Sequence, residues 1–565
     1  MTSNGNFAGH PAWEAAYRHP VPWRQDYPPL TLVDLLEASA ARAPGAPIID
    51  FLGRRFTYGE TLETARKVAA GLAARGIAQG DRVGLFLPNV PHYVAAYYGA
   101  LMAGAVLVNF SPLYTPGELR AQVEDSGTRL LFTLSARALL PAALEVLETS
   151  LLEQLVVGSV AGALPGAKSI LYRVFKRRDI ASVPAGDSRI LSFSALIDRP
   201  GPPPEVAIAA GDLALLQYTG GTTGTPKGAM LSHQNLSANA RQIDQLDPVI
   251  GEEDRILGVL PLFHVFANSC VLNRTVLVGG EMVLLPRFEP GQVLAAIART
   301  RPTALTGVPT MYQALLDHPG IAEADLSSLR VCISGGAAMP PGLRTRFEEV
   351  TGARLIEGYG LTESAGVVST NPYEGLVKAG TIGQPIPGTF VTLADREDPS
   401  RPAPPGEPGE ILVSGPQVMT GYWNRPEAAA DAFAGGRLRT GDVGTLDEDG
   451  YIRIVDRLKD MISVSGFKVF PSQVEAVLYR HEAVKEAIVI GIPDAYAGER
   501  PKAFVTLAAG KDATAEALRD WLNPQIGRHE QVVAVEIRDS LPKTLIGKLS
   551  RKELEAEARG AAGPT

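Results

Sequence analysis

Glycines and threonines crowd ahead of a lysine in YTGGTTGTPKG, Tyr218 to Gly228, directly after the apolar run LALLQ. Glycine lets backbone N–H groups close on an anion, and threonine hydroxyls add donors or a metal ligand. The chemistry suggested is phosphate binding. A Walker A loop requires glycine directly before its lysine and a hydroxyl directly after it. Here Pro226 precedes Lys227 and Gly228 follows, so the stretch is not a Walker A loop. A flexible Gly/Thr surface loop is the competing reading of this stretch taken alone.

A second glycine-rich element, EGYGLTES (Glu357 to Ser364), follows an apolar strand pattern, the position at which open α/β sheets bind ligands. It lacks the third glycine of a dinucleotide fingerprint. An aromatic between glycines can offer its ring to a base, and Glu363 with a hydroxyl such as that of Thr219 could hold Mg²⁺ on phosphates. In LRTGD, Asp442 ends a short strand, where a carboxylate could accept both hydroxyls of a ribose or be purely structural. The segment LPKTLIGKLSRKEL presents Lys543, Lys548, Arg551 and Lys552, which on their own read as a solvated basic tail. Neither H-E-x-x-H nor G-x-S-x-G occurs, which removes the metalloprotease and α/β-hydrolase readings.

These residues need a scaffold, and the patterning supplies one. From Arg82 the chain reads as strand RVGLFLPN, a helix after Pro91 ending near Gly104, strand AVLVNF, and a helix opened by Thr115, Pro116 and Glu118 with capping-box spacing. Tyr93 to Val108 is uncharged yet too short to span a bilayer, so it reads as a buried helix and strand. The rhythm resumes in DRILGVLPLF, EMVLLP, PTALTGVP, LRVCISGG and RLIEGYG, which predicts a second parallel α/β layer. After Gly380 short strands broken by turns predict a β-rich region. Beyond Asp456 a smaller α/β unit follows, from helix SQVEAVL to strand VVAVEI, with the boundary at DRLKD.

At 565 residues the chain exceeds one core. Its net charge of −8 argues against a nucleic-acid partner. Cys270 and Cys332, the two cysteines, lie in apolar runs and read as buried thiols. The start shows no basic-then-apolar signal pattern, so a cytoplasmic enzyme is expected. ILYRVFKRRDI, residues 170–180, mixes apolar and basic side chains and reads either as a contact with an anionic membrane surface or as a solvated helix end.

Seven stretches occur in order: YTGGTTGTPKG, PLFHVF, ISGGAAMP, EGYGLTES, LRTGD, VDRLKDMISVSGFKVFPSQVE and LPKTLIGKL. Together they resemble the acyl-adenylate-forming superfamily of acyl-CoA synthetases, luciferases and peptide-synthetase adenylation domains, from about Leu30 onward. VNFSPLYTPGEL, GPQVMTGYW and VSGFKVFP most resemble bacterial long-chain fatty-acid CoA ligases.

The resemblance implies an adenylating region 1–456, built of two α/β subdomains and a β-rich subdomain at about 380–456, and a small mobile α/β domain 457–565. It implies ATP, CoA and Mg²⁺, with a medium- to long-chain fatty acid converted to acyl-AMP and then to acyl-CoA. Thr219, Gly220, Gly221, Thr222, Thr223, Gly224 and Lys227 would wrap the β- and γ-phosphates, and Thr219 and Glu363 would hold Mg²⁺. Tyr359 would stack on adenine in a nucleotide site shared with Glu357, Gly358, Gly360, Thr362, Gly335 and Gly336. Asp442 and Arg457 would bind the ribose. His264 would sit beside the reacting carboxylate, with Val265, Phe266, Gly335, Gly336 and Gly360 lining the acyl tunnel. Lys459 would be the hinge, Ser465, Gly466 and Phe467 would meet CoA, and Lys548 would bridge carboxylate and α-phosphate.

Three departures stand out. Ser463 replaces a lysine found in many relatives, and RHEQ (Arg528 to Gln531) replaces Tyr-Lys-x-Pro, which puts CoA contacts there in doubt. Asn268 stands where some long-chain relatives carry a tryptophan gate, so no indole gate is expected. The alternatives are a fatty acyl-AMP ligase that loads a carrier protein and a catalytically silent acyl or nucleotide binding protein.

Overall fold

The computed structural model describes residues 12–198, 201–219, 226–247, 253–465, 467–494, 496–544 and 549–561. A seven-stranded sheet runs in the order Ile190–Ser192, Gln154–Gly158, Thr128–Leu134, Arg82–Leu85, Val106–Asn109, Leu213–Tyr218, Gly228–Ser232. Its strands are parallel except the last, which returns antiparallel to Leu213–Tyr218. The strand, helix, strand and helix expected from Arg82 form at Arg82–Leu85, Pro91–Met102, Val106–Asn109 and Pro116–Ser126. Thr115 and Glu118 close the capping box, with the Thr115 N–H donating to the Glu118 carboxylate at 2.9 Å.

Helix Pro91–Met102 is buried on nearly every face, which accounts for a sequence apolar all round. Its phenols need partners, because a buried hydroxyl without one costs free energy. Tyr93 Oη lies 2.9 Å from Leu262 O and 2.8 Å from Asn109 Oδ1, and Tyr97 and Tyr98 donate to Asn268 and Asn273 at 3.2 Å. Asn268 opens a π-helical turn, Asn268–Asn273, and is fully buried in this network. The position four residues after His264 thus belongs to the core and puts no ring into a tunnel.

The second α/β layer is a nine-stranded sheet. Its central strands, in the order Arg354–Tyr359, Val331–Gly335, Ala304–Gly307, Arg255–Gly258, Glu281–Leu284, Pro47–Phe51, are all parallel. Both cysteines are buried and free. An antiparallel sheet follows over Phe390–Ala394, Gly409–Ser414, Arg437–Leu446 and Ile452–Arg457, the β-rich region that the turn-broken pattern predicts. Trp23 straps the N-terminal segment onto it, its indole N–H donating to Thr389 O at 2.7 Å.

The last sheet pairs Val484–Asp494 with Gly498–Leu507 over a long antiparallel register, with Ala534–Ile537 added in parallel. Helices Pro471–Leu478 and Ala515–Leu522 cover it. Its apolar residues, among them Val474, Leu478, Val489, Val505, Leu518 and Leu522, form a core of their own.

Candidate active site

A cleft of about 2420 Å³ runs between the ends of these sheets. Thr219, His264, Val265, Phe266, Gly335, Gly336, Glu357, Gly358, Tyr359, Gly360, Thr362, Glu363, Asp442, Arg457 and Lys459 all line it. Residues far apart in sequence therefore meet in one place.

Tyr359 and Asp442 are joined directly. The Tyr359 hydroxyl donates to one carboxylate oxygen of Asp442 at 2.6 Å, and Arg457 Nε donates to the other at 3.0 Å. Asp442 is buried while Arg457 remains half-exposed at the cleft wall. Burial, then the Asp442 carboxylate, pushes the Tyr359 phenol far up, so it stays a donor at neutral pH. The Asp442 carboxylate in turn holds the Arg457 guanidinium up. A carboxylate offers about four lone-pair sites, so Asp442 can still accept ribose hydroxyls beside these two donors.

The backbone around Tyr359 is built for close approach. A Cβ at Gly360 would lie 1.5 Å from Gly366 O, and one at Gly335 would lie 2.9 Å from the Phe266 ring. Glycine at both positions lets the chain fold tightly here. Glu357 accepts from Met339 N–H at 2.7 Å, and burial raises its carboxyl to about 7.

The segment that carries the phosphate-loop pattern connects antiparallel strands, with Tyr218 paired to Gly228 and Thr219 N–H donating to Lys227 O at 2.9 Å. This differs from the strand-to-helix setting of a Walker A loop. Gly220, Gly221, Thr222, Thr223 and Gly224 lie outside the described residues. Glu363 sits on a short turn, Thr362–Ser364, and Tyr422 donates to its carboxylate at 2.7 Å. The Lys227 ammonium lies 5.2 Å from the Tyr422 ring centre, a cation–π distance. Tyr422 supports the cleft residue Glu363 without lining the cleft itself, and its only sequence signal is its place in GPQVMTGYW.

Thr219 and Glu363 supply a hydroxyl and a carboxylate, both hard oxygen donors of the kind Mg²⁺ takes. Among the described residues no group of three or more His, Cys, Asp and Glu side chains is placed to cage a metal ion. A Mg²⁺ here would be held by few protein oxygens and by the phosphates it accompanies, which suits its reluctance to shed water.

His264 caps a short helix, its Nδ1 accepting from Phe266 N–H at 3.3 Å. In the neutral ring the proton then resides on Nε2, as a donor. Val265 is buried behind it and Phe266 packs against Gly335. Ile243, Leu246, Cys270, Val308 and Ile333 add apolar lining to the same cleft.

Ser465 and Phe467 do not line the cleft. Ser465 turns a hairpin at φ 50°, pairing Val464 with Phe467, whose exposed ring lies 5.5 Å from that of His529. Gly466 and Lys548 lie outside the described residues. The ends of the segment carrying Lys548 are fixed: Lys543 pairs with Leu549 in an antiparallel bridge and its ammonium meets Glu486 at 2.7 Å. Arg551 meets Glu475 at 2.5 Å and Asp460 at 3.3 Å. The reading of these cations as a solvated tail fails for Arg551, which is partly buried between two carboxylates, whereas Lys543 keeps an exposed side chain with one ion pair.

Residues 36–423 match the family model described as AMP-binding enzyme, and residues 473–548 match the model for the C-terminal domain of AMP-binding enzymes. The chain belongs to the AMP-binding enzyme family. Among its curated relatives is a long-chain-fatty-acid–CoA ligase of Bacillus subtilis, 41% identical over 96% of this AMP-binding enzyme and 98% of the relative. A feruloyl-CoA synthase of an Amycolatopsis species is 38% identical over 91% and 96% of the two chains. Among solved structures, an anthranilate CoA ligase with bound anthranoyl-AMP superposes with a TM-score of 0.82 at 29% identity, covering 94% of this chain and 98% of that one. ATP-bound MatB from Rhodopseudomonas palustris gives 0.80 at 28% identity, covering 94% of this AMP-binding enzyme and all of MatB.

Proposed function

We propose that this AMP-binding enzyme activates a medium- to long-chain fatty acid. In the first step a carboxylate oxygen attacks the α-phosphorus of ATP, and pyrophosphate leaves to give acyl-AMP. In the second the CoA thiol attacks the acyl carbonyl, and AMP leaves with the acid's former oxygen. The observation that carries this reading is that the Tyr359–Asp442–Arg457 cluster and the apolar residues behind His264 open onto one cleft.

The roles follow the family resemblance, and the chemistry asks for the same residue types. Two anions must meet in the first step, so fixed donors and positive charge are required at the α-phosphate. Asp442 and Arg457 hold the ribose, Tyr359 stacks on adenine, and Glu357, Gly358, Gly360 and Thr362 complete the nucleotide site. Thr219 and Glu363 would hold Mg²⁺, which would offset charge on the leaving pyrophosphate. Lys227 and the loop from Thr219 to Gly224 take the β- and γ-phosphates. His264 Nε2–H orients the acyl carboxylate, while Val265, Phe266, Gly335 and Gly336 border the chain and exclude water that would hydrolyse the adenylate.

The C-terminal unit supplies Lys548 to the first step and Ser465, Gly466 and Phe467 to the second. We place the boundary between residues 456 and 457 and the hinge at Lys459. One small domain cannot present both faces at once, so it turns between the steps. No helix of the described residues is long and apolar enough to cross a membrane. We place the enzyme in the cytoplasm, with residues 170–180 as its contact with a membrane.

Pyrophosphate release tests the reading, measured from acetate to oleate and with ferulate, with CoA and with a phosphopantetheinylated carrier protein as acceptors. Release and thioester formation with long acids and CoA support it. The feruloyl-CoA synthase relative makes an aryl acid the second reading, and activity confined to ferulate would establish it. Transfer to the carrier alone would make the protein a fatty acyl-AMP ligase, and no release with any acid would leave a silent binding protein.

A further inference from the structure

Four large apolar side chains, Ile170, Leu171, Val174 and Phe175, are exposed on a single ten-residue helix, Gly166–Phe175. Phe175 is 77% exposed, and no residue of the helix is buried. At 3.6 residues per turn these four fall on one side, whereas Pro165, Ser169 and Tyr172, the less exposed positions, fall on the other. The inward side is anchored: Tyr172 packs against the main core and Lys168 Nζ donates to Leu52 O at 2.8 Å. The apolar side is therefore held outward by the fold.

Charge gathers beside it. Arg173, Lys176, Arg177 and Arg178 are all exposed, against one carboxylate, Asp179, which lies 3.6 Å from Lys176. Asp179 O also accepts from Arg137 N–H, which brings another exposed arginine to the same end. This basic cluster sits on a chain whose net charge is −8, so it is local. A protein partner is a poor match, since a stable interface takes about 800 Å² from each side and a helix about 15 Å long offers a fraction of that. An apolar face edged by Lys and Arg is what the headgroup layer of an anionic bilayer accepts.

We propose that helix Gly166–Phe175 lies in the headgroup region of an anionic phospholipid bilayer, with Ile170, Leu171, Val174 and Phe175 at the acyl boundary and Arg173, Lys176, Arg177 and Arg178 against lipid phosphates. The corollary, that the enzyme takes its acid from the bilayer, rests on the fatty-acid reading above. The docking surface itself does not.

The test uses the full chain and vesicles of phosphatidylcholine alone or mixed with phosphatidylglycerol, at low and high salt. Two variants are compared with the unmodified protein: Ile170→Ser with Phe175→Ser, and Arg173→Gln with Lys176→Gln, Arg177→Gln and Arg178→Gln. Cosedimentation with the anionic vesicles should fall at least about tenfold in each variant, and salt should weaken binding of the unmodified protein. Both variants should release pyrophosphate from dissolved octanoate at the unmodified rate, yet convert palmitate preloaded in anionic vesicles more slowly. Equal binding of the unmodified protein to both vesicle types would overturn the proposal, as would variants that bind as well as it does. So would a dimer that the Ile170→Ser, Phe175→Ser variant dissolves, because a second copy would then cover the face. If no form activates any dissolved acid while binding follows the expected pattern, the fatty-acid reading fails and the docking surface stands.

Discussion

The phenol of Tyr359 reaches the carboxylate of Asp442 across 2.6 Å, tying the strand Arg354–Tyr359 of the nine-stranded sheet to the strand Arg437–Leu446 of the β-rich region. Two sheets that share one hydrophobic core are thus also joined by a side-chain contact at the point where the nucleotide is proposed to sit. Arg457 completes it from the next strand, Ile452–Arg457. This contact fixes the Asp442 carboxylate in advance of the proposed ribose contact, an arrangement that lowers the ordering cost of binding.

Asp442→Asn keeps the shape and removes the charge. Charge-assisted hydrogen bonds are worth about 1.5–3 kcal/mol each, so pyrophosphate release at limiting ATP should fall about tenfold to a hundredfold. Tyr359→Phe, which keeps the ring, should lose less than Tyr359→Ala. An Asp442→Asn enzyme with unchanged ATP dependence would make the contact purely structural.

Glu357 sets a pH dependence of stability. Its carboxyl titrates near 7 in the folded protein against an ordinary 4.5, because burial disfavours the charged form. The folded state therefore holds the proton more tightly, and Glu357's contribution is fully present below about 4.5 and lost as pH rises through 7. Relative to the unmodified protein, Glu357→Gln should gain stability between pH 5 and 7 and keep that gain at pH 8. Thermal midpoints at each pH check this, and a difference independent of pH would contradict it.

The hinge is tested by Lys459→Pro, which fixes φ near −65°. Thioester formation from supplied acyl-AMP and CoA should slow far more than acyl-AMP formation. Equal losses in both half-reactions would count against a turning domain.

Much of the scaffold was legible in the sequence because it is local. The capping box at Thr115 and Glu118, the strand runs and the turn-rich stretch after Gly380 each depend on neighbours within a few residues. What was not legible depends on distant pairing. No periodicity in Pro47–Phe51 says that it joins Glu281–Leu284, far along the chain, and leaves the earlier sheet beside it. Tyr422 escaped notice for the same reason, since its partner Glu363 lies 59 residues away. Asn268 stands where some long-chain relatives carry a tryptophan gate, and here its amide is buried against the phenol of Tyr97 on the helix Pro91–Met102. Arg551 looked solvated until Glu475 and Asp460 folded around it.

Lys548 carries the sharpest division of labour. Removing one preorganised donor to developing charge costs on the order of 10²–10³ in rate. Lys548→Ala should lose that much in pyrophosphate release and almost nothing in acyl-CoA formation from synthetic acyl-AMP. A parallel fall in both steps would assign Lys548 to folding or to CoA, and no fall in either would return it to the solvated tail.

An acyl-adenylate intermediate fixes the fate of the acid's two oxygens. Palmitate labelled with ¹⁸O at both carboxylate positions, incubated with ATP, Mg²⁺ and CoA, should yield palmitoyl-CoA with one labelled oxygen and AMP with the other, read by mass spectrometry, with pyrophosphate unlabelled. Unlabelled AMP, or ADP and phosphate in place of AMP and pyrophosphate, would contradict an acyl-adenylate intermediate.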